Sequence, residues 1–386
     1  MKRALVFTAL CFIAILANAS NYRQLSDDSY IEIYTCAPGN QLYSQFGHTA
    51  IGVIDPKQKI DKVFNYGTFS FNTPHFYLKF CAGKLLYQLT SESFDRFVIS
   101  YEYRGRQVLA QRLNLSLEQR QHLFDLLNEN NKPENCDYQY DFFFDNCATR
   151  VLDMLYKAFG ESLIYVDSDS LQQPSLRDCI HPYLSGSRWS KAGIDLVLGS
   201  ITDRVATKRE QSFIPDRLYE YLSECKIDTL PFVGAERIVV DSTIEYAVTP
   251  ILLSPFIVFL LIFIVMLVLT AKSKKMNWVA IDRIYFCLIG ILGLVTALLW
   301  FATDHGATVG NYNLLWASPL YLIYAFVVGV EPKMWHKWLW IVLVVGNIAM
   351  LFGFLLPQYF NLCFYPLVAT SLLRLLCGRP KSNLSR

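Results

Sequence analysis

Hydrophobic and polar positions divide the chain into three unlike stretches. Residues 4–16 are almost wholly apolar and follow Met1, Lys2 and Arg3. The triplet Ala17-Asn18-Ala19 that comes next has the small-x-small form of a secretory cleavage site, so residues 1–19 read as a signal peptide. Between residues 20 and 246 charged and apolar residues alternate as they do in a globular domain. From residue 247 to 378 long apolar runs dominate: 251–270, 284–301, 314–330, 338–356 and 359–376. Each approaches the length of about 20 residues that crosses a bilayer as a helix. A bundle of about five membrane helices is therefore expected, followed by a short tail at 379–386.

The middle stretch carries its own periodicities. Residues 31–35, 49–54 and 62–66 read as short strands, and 97–103 with 107–113 as a hairpin around Arg104, Gly105 and Arg106. Ser116 and Gln119 form a capping box ahead of a helix with Leu123, Phe124 and Leu127 on its buried face. A second helix begins near Cys147, buries Val151, Leu152, Leu155 and Phe159, and stops at Gly160. Residues 171–222 read as mostly helical, with a turn-rich stretch at Trp189, Gly193, Asp195 and Gly199. The expected class is α+β ahead of an all-α membrane bundle.

Net charge, +2 with 53% hydrophobic residues, averages over these regions, but the placement of charge is informative. Lys272, Lys274, Lys275 and Arg283 lie between the first two spans, Lys333 and Lys337 between the third and fourth, and Arg374, Arg379, Lys381 and Arg386 at the end. The other two connections carry no Lys or Arg. The positive-inside rule puts the charged set in the cytoplasm and the domain at 20–246 outside, as the signal peptide does. The expectation is a multi-pass protein of the bacterial inner membrane, with a periplasmic N-terminal domain and a cytoplasmic C-terminus. No nucleic-acid partner and no cofactor is expected, and no His or Cys pair has the close spacing of a zinc site.

Two segments set a reactive side chain at the edge of an element: Phe46-Gly47-His48-Thr49-Ala50 and Asp145-Asn146-Cys147-Ala148-Thr149-Arg150. Cys147 falls in the first turn of its helix, where unpaired N–H groups and the dipole favour a thiolate. A nearby imidazole can exchange the proton, and needs a third group to orient it. Asn65, on the strand after His48, is the first choice; Asp61 and Asp55 lie nearer the turn. Against this stands cysteine parity. Cys36, Cys81, Cys136, Cys147, Cys179 and Cys225 make an even number in an oxidising compartment, which leaves Cys147 open to a structural bridge. Pairing the two segments favours catalysis. His305 lies in an outer loop between two spans, a place for substrate handling, whereas His75 reads as a surface residue.

The order histidine, polar residue on the next strand, cysteine at a later helix start resembles the circularly permuted papain-like proteins, the lecithin retinol acyltransferase group among them. The segments FGHTAI, NYGTFSF, YDFFFDNCATR, WSKAGIDLVLG with Asp203 and Phe213-Ile214-Pro215, and NYNLLW look like the Lnb family of lipoprotein N-acyltransferases. That resemblance implies transfer of a fatty acyl chain from a phospholipid donor to the α-amino group of a diacylated lipoprotein acceptor. It makes Cys147 the nucleophile, His48 the base and Asn65 the orienting group. Tyr66, Asn146, Arg150, His305 and Asn313 become the residues expected to contact substrate, with Asp195 and Asp203 as further candidates for shaping the site. The rival readings are a membrane-anchored cell-wall peptidase or amidase, and a non-enzymatic membrane protein with Cys147 bridged.

Overall fold

The computed structural model describes residues 23–166, 173–272, 278–331 and 333–377. The expected signal peptide and C-terminal tail lie outside them, as do Lys274 and Lys275. Ten strands are described: β1 (Tyr30–Cys36), β2 (His48–Asp55), β3 (Ile60–Thr68), β4 (Leu86–Glu92), β5 (Val108–Leu113), β6 (Asp137–Gln139), β7 (Leu163–Tyr165), β8 (Cys225–Ile227), β9 (Leu230–Pro231) and β10 (Val233–Val240). Seven of them form an antiparallel sheet in the order β10-β5-β1-β2-β3-β4-β6, and β7, β8 and β9 form a small second sheet.

The central strands are apolar on both faces because helices cover both. Four helices belong to this part: α1 (Phe76–Cys81), α2 (Phe94–Tyr103), α3 (Leu117–Asn130) and α4 (Cys147–Phe159). Ile31, Ile33, Ile51, Val53 and Phe64 pack with Leu123 and Leu127 of α3 and Val151, Leu152 and Leu155 of α4. The alternate positions Tyr34, Cys36, Ala50 and Val63 meet Phe97 and Tyr101 of α2 on the other face. Each large buried aliphatic or aromatic side chain contributes about 1.5–3 kcal/mol.

The capping box at Ser116 and Gln119 forms as expected, but the hairpin does not. Its first arm is the helix α2, and the reason is spacing: Phe94, Phe97, Val98 and Tyr101 stand at i, i+3, i+4 and i+7, the apolar stripe of a helix. Trp189, Gly193 and Asp195 likewise lie in a helix rather than turns. The following helices are α5 (Leu176–Ile180), α6 (Arg188–Val197), α7 (Lys208–Gln211) and α8 (Pro215–Glu224).

The bundle comprises α9 (Pro255–Lys272), α10 (Trp278–Phe301), α11 (Leu320–Val327), α12 (Met334–Leu351) and α13 (Tyr365–Cys377). Among the described residues, α9, α10 and α12 are the helices long and apolar enough to cross a membrane alone. The third and fifth apolar runs are shorter helices. Pro319 and Pro366 stand at their starts, where a missing N–H and a fixed φ break a continuous span. Arg374, one of the flanking cations, is buried and paired with Asp282 at 2.6 Å.

Candidate active site

Two glycines shape the approach of strand and helix. Gly47 has φ of 83°, and a Cβ there would stand 2.8 Å from the Cys36 carbonyl oxygen. Gly67 has φ of 87°, and its vacant Cβ position faces the Cys147 Cβ at 3.7 Å. Both conformations are strained for any residue with a side chain. The Gly-His and Tyr-Gly pairs thus carry a backbone requirement: Gly47 lets the chain enter β2 close to β1 and Pro215, and Gly67 lets β3 pass close to the start of α4.

Asn146 is the N-cap of α4. Its Oδ1 accepts from the N–H of Ala148 at 2.8 Å and of Thr149 at 3.0 Å, while the Thr149 hydroxyl accepts from the Asn146 N–H at 2.7 Å. Its Nδ2 donates to the carbonyls of Phe142 and Phe213, both at 2.8 Å. With every amide atom engaged, Asn146 holds the helix start in place and has no group left for a substrate. Cys147 is then the first helical residue, half-buried, with a free thiol. Cys36, Cys81, Cys136, Cys179 and Cys225 are free as well, so no bridge uses the thiol.

Burial pushes the Cys147 thiol up, against the pull of the backbone N–H groups of Thr49, Ala148 and Cys147 itself. Desolvation therefore outweighs the helix terminus, contrary to the lowered thiol expected from position alone. The N–H of Thr49 fixes the position of strand β2 at the thiol, and His48 is the residue before it.

His48 Nε2 lies 3.1 Å from Asn65 Oδ1. The pairing follows from register, since Ala50 stands opposite Asn65 and His48 is its diagonal neighbour on the same face. Asn65 Nδ2 donates to Glu92 Oε1 at 3.1 Å and to the Val63 carbonyl at 3.5 Å. Both partners are acceptors, which fixes the amide orientation. Oδ1 must then face the imidazole, Nε2 must carry the proton, and Nδ1 is left as the basic nitrogen. Burial, with a contribution from Arg106, lowers His48 from 6.5 to about 4, opposed by the bond to Asn65. Thiol and imidazole accordingly each rest neutral.

Tyr66 and Arg150 line this region with partners of their own. The Tyr66 hydroxyl donates to Asn130 Oδ1 at 2.6 Å, and Arg150 pairs with Asp145 while lying 4.2 Å over the Tyr138 ring. His305 lies at the outer loop after α10, with Nε2 3.2 Å from the Cys81 carbonyl oxygen. Asn313, Asp195 and Asp203 belong to a different cluster. Asn313 is fully buried and donates to the carbonyls of Asp195 and Leu196, both at 3.1 Å; Asp195 and Asp203 pair with Arg177. Glu92 and the Thr49 N–H escape a reading of the sequence. Neither has a local signature, because each acts through a partner on another element.

The fold and this site define a membrane protein that carries an α+β domain, with a cysteine at a helix start and a histidine strand packed beside it. Residues 18–174 match the Lnb N-terminal periplasmic domain and residues 246–380 the Lnb transmembrane domain; the chain belongs to the Lnb family, and its N-terminal domain is periplasmic. No curated protein and no solved structure matches it.

Proposed function

We propose that this protein is a thiol-dependent transacylase, which moves a fatty acyl chain from a phospholipid to the α-amino group of a lipoprotein's diacylglyceryl-cysteine. The observation that carries the reading is the chain Glu92–Asn65–His48, which leaves Nδ1 basic on the strand whose next N–H, that of Thr49, meets the Cys147 thiol. The papain-like arrangement expected of the family has the same logic. A bundle of membrane helices suits substrates that are themselves embedded in lipid. It also suits an inner-membrane location with the C-terminus in the cytoplasm.

The first step is attack by Cys147 Sγ on the donor's ester carbonyl as its proton passes to His48 Nδ1. The tetrahedral oxyanion is met by the Cys147 N–H at the start of α4, since those of Ala148 and Thr149 are taken by Asn146 Oδ1. Collapse breaks the ester C–O bond, and the leaving alkoxide takes the proton from His48 as lysophospholipid departs. In the second half the acceptor amine attacks the thioester carbonyl, His48 takes the amine proton, and the sulfur leaves to recover it. A buried imidazolium is disfavoured, so each proton is passed on quickly.

The test is intact-mass and peptide mass spectrometry of the full chain in defined phospholipid vesicles, before and after adding a diacylated lipopeptide with a free amine. The expected result is a hydroxylamine-labile acyl group on Cys147 that is absent from Cys147→Ala and moves to the lipopeptide amine. A reactive Cys147 that never acylates would point instead to a wall peptidase or amidase. A Cys147 found bridged in the purified protein would point to a non-enzymatic role.

A further inference from the structure

The connection between β3 and β4 leaves the active site at Gly67 and returns through α1. Every residue of α1 is at least partly exposed, although Phe76, Tyr77, Leu78 and Phe80 make up most of it. Phe71, Tyr77, Leu78 and Phe80 are 69%, 76%, 72% and 52% exposed. An apolar patch of this kind marks a partner, and its position says which.

The end of α1 is tied to the loop after Phe301, the periplasmic end of α10. Asp304 donates its N–H to the Ala82 carbonyl at 3.0 Å, and His305 Nε2 lies 3.2 Å from the Cys81 carbonyl oxygen. The patch is thereby held beside the periplasmic end of α10, a helix long and apolar enough to cross a membrane. From Phe80 a series of ring contacts runs inward: Phe80 on Phe76 at 6.2 Å, Phe76 on Phe69 at 5.8 Å, Phe69 on Tyr87 at 5.2 Å and Tyr87 on Tyr140 at 4.3 Å. Tyr87, Tyr140 and Cys147 pack against the same core.

We propose that this ring series is an acyl track, along which a chain of the donor phospholipid passes from the periplasmic leaflet to the Cys147 thiol. The proposal rests on the transacylase reading and names its acyl-binding subsite. Aromatic rings supply large apolar area at little conformational cost, and a row of them admits a flexible alkyl chain in many registers. His305 takes part indirectly, by clipping α1 to the outer loop.

The experiment uses the full chain carrying Cys147→Ala in phosphatidylethanolamine–phosphatidylglycerol vesicles doped with a phospholipid bearing a mid-chain diazirine. Photolysis is expected to label peptides within residues 69–87. Label confined to the membrane helices overturns the track. Separately, in the otherwise native protein, Phe76→Asp is expected to lower the ratio of Cys147 acylation by long-chain over short-chain donors by about tenfold or more. Phe80→Ser, at an exposed ring, is the second variant and cannot fail through lost core packing. An unchanged ratio in both overturns the track while leaving the transacylase standing. Labelling of 69–87 without any thioester in the native protein keeps the lipid path and removes the transacylase.

Discussion

Two polar clusters in this protein are built on opposite principles. In the junction between the periplasmic domain and the bundle, every strong group is saturated. Asp195 Oδ1 takes Arg177 at 3.2 Å and His181 at 2.9 Å, and Oδ2 takes Lys191 at 3.0 Å and Asn361 at 2.8 Å. Burial raises this carboxyl, yet His181 and Lys191 outweigh it and hold it at about 2. Arg177 adds Asp203 at 2.7 and 3.0 Å and the carbonyls of Leu198 and Gly199. Around Cys147 the polar groups are left partly unmatched. The Thr49 hydroxyl and Arg106 Nη2 are buried without a hydrogen-bond partner, and thiol and imidazole rest uncharged. A saturated cluster fixes a geometry; an unsaturated one keeps capacity for charge that appears only during reaction.

The largest test of this contrast is His48→Ala. Acylation of Cys147 is expected to fall by about 10²–10⁴-fold, measured by single-turnover mass spectrometry, with thermal stability close to native. Collapse of the fold would move His48 into the structural class. Next comes Asp195→Ala, which removes the shared acceptor of His181, Lys191 and Asn361 and one of the two carboxylates on Arg177, and is expected to cost about 1–3 kcal/mol. Denaturant unfolding of the full chain in detergent measures it, and a cost below about 1 kcal/mol would show that the junction is not sustained by this carboxylate.

Asn65→Ala is expected to lower the acylation rate by about 10²-fold with little change in donor affinity. Asn65→Asp should recover part of that rate and shift the acid limb of the pH profile upward, because a carboxylate favours the imidazolium; a purely structural Asn65 would leave the limb in place. The smallest effect is the native pH profile itself. His48 is lowered to about 4, so its ring stays neutral and basic above that pH. Acylation should hold from neutrality well into the acidic range and fall only as the pH approaches 4. A limb centred near 6.5, its ordinary value, would contradict the buried base.

Much of the site is legible in the linear order of residues. Gly47, His48, Asn146 and Cys147 announce themselves through local chemistry, a glycine before a strand and a cap before a helix, and the fold sets each at such a place. Asn313, expected among the substrate contacts, is instead engaged with Asp195, Leu196 and Trp316 in the junction. An asparagine looks the same in sequence whether its partner is a substrate or a buried carbonyl. The α2 stripe reads as a strand in sequence because its apolar residues fit both periods over so short a stretch.

Local chemistry along the chain dictates the division into an exported α+β domain and a membrane bundle, the start of the cysteine helix, and the glycines that lead into β2 and let β3 approach that helix. Those features depend on periodicity, capping and φ, which act within a few residues. Packing alone settles which amide faces His48, that Glu92 fixes its orientation, that the Thr49 N–H meets the thiol, and that burial leaves thiol and imidazole neutral. Those features depend on strand register and desolvation, which exist only once distant segments have come together.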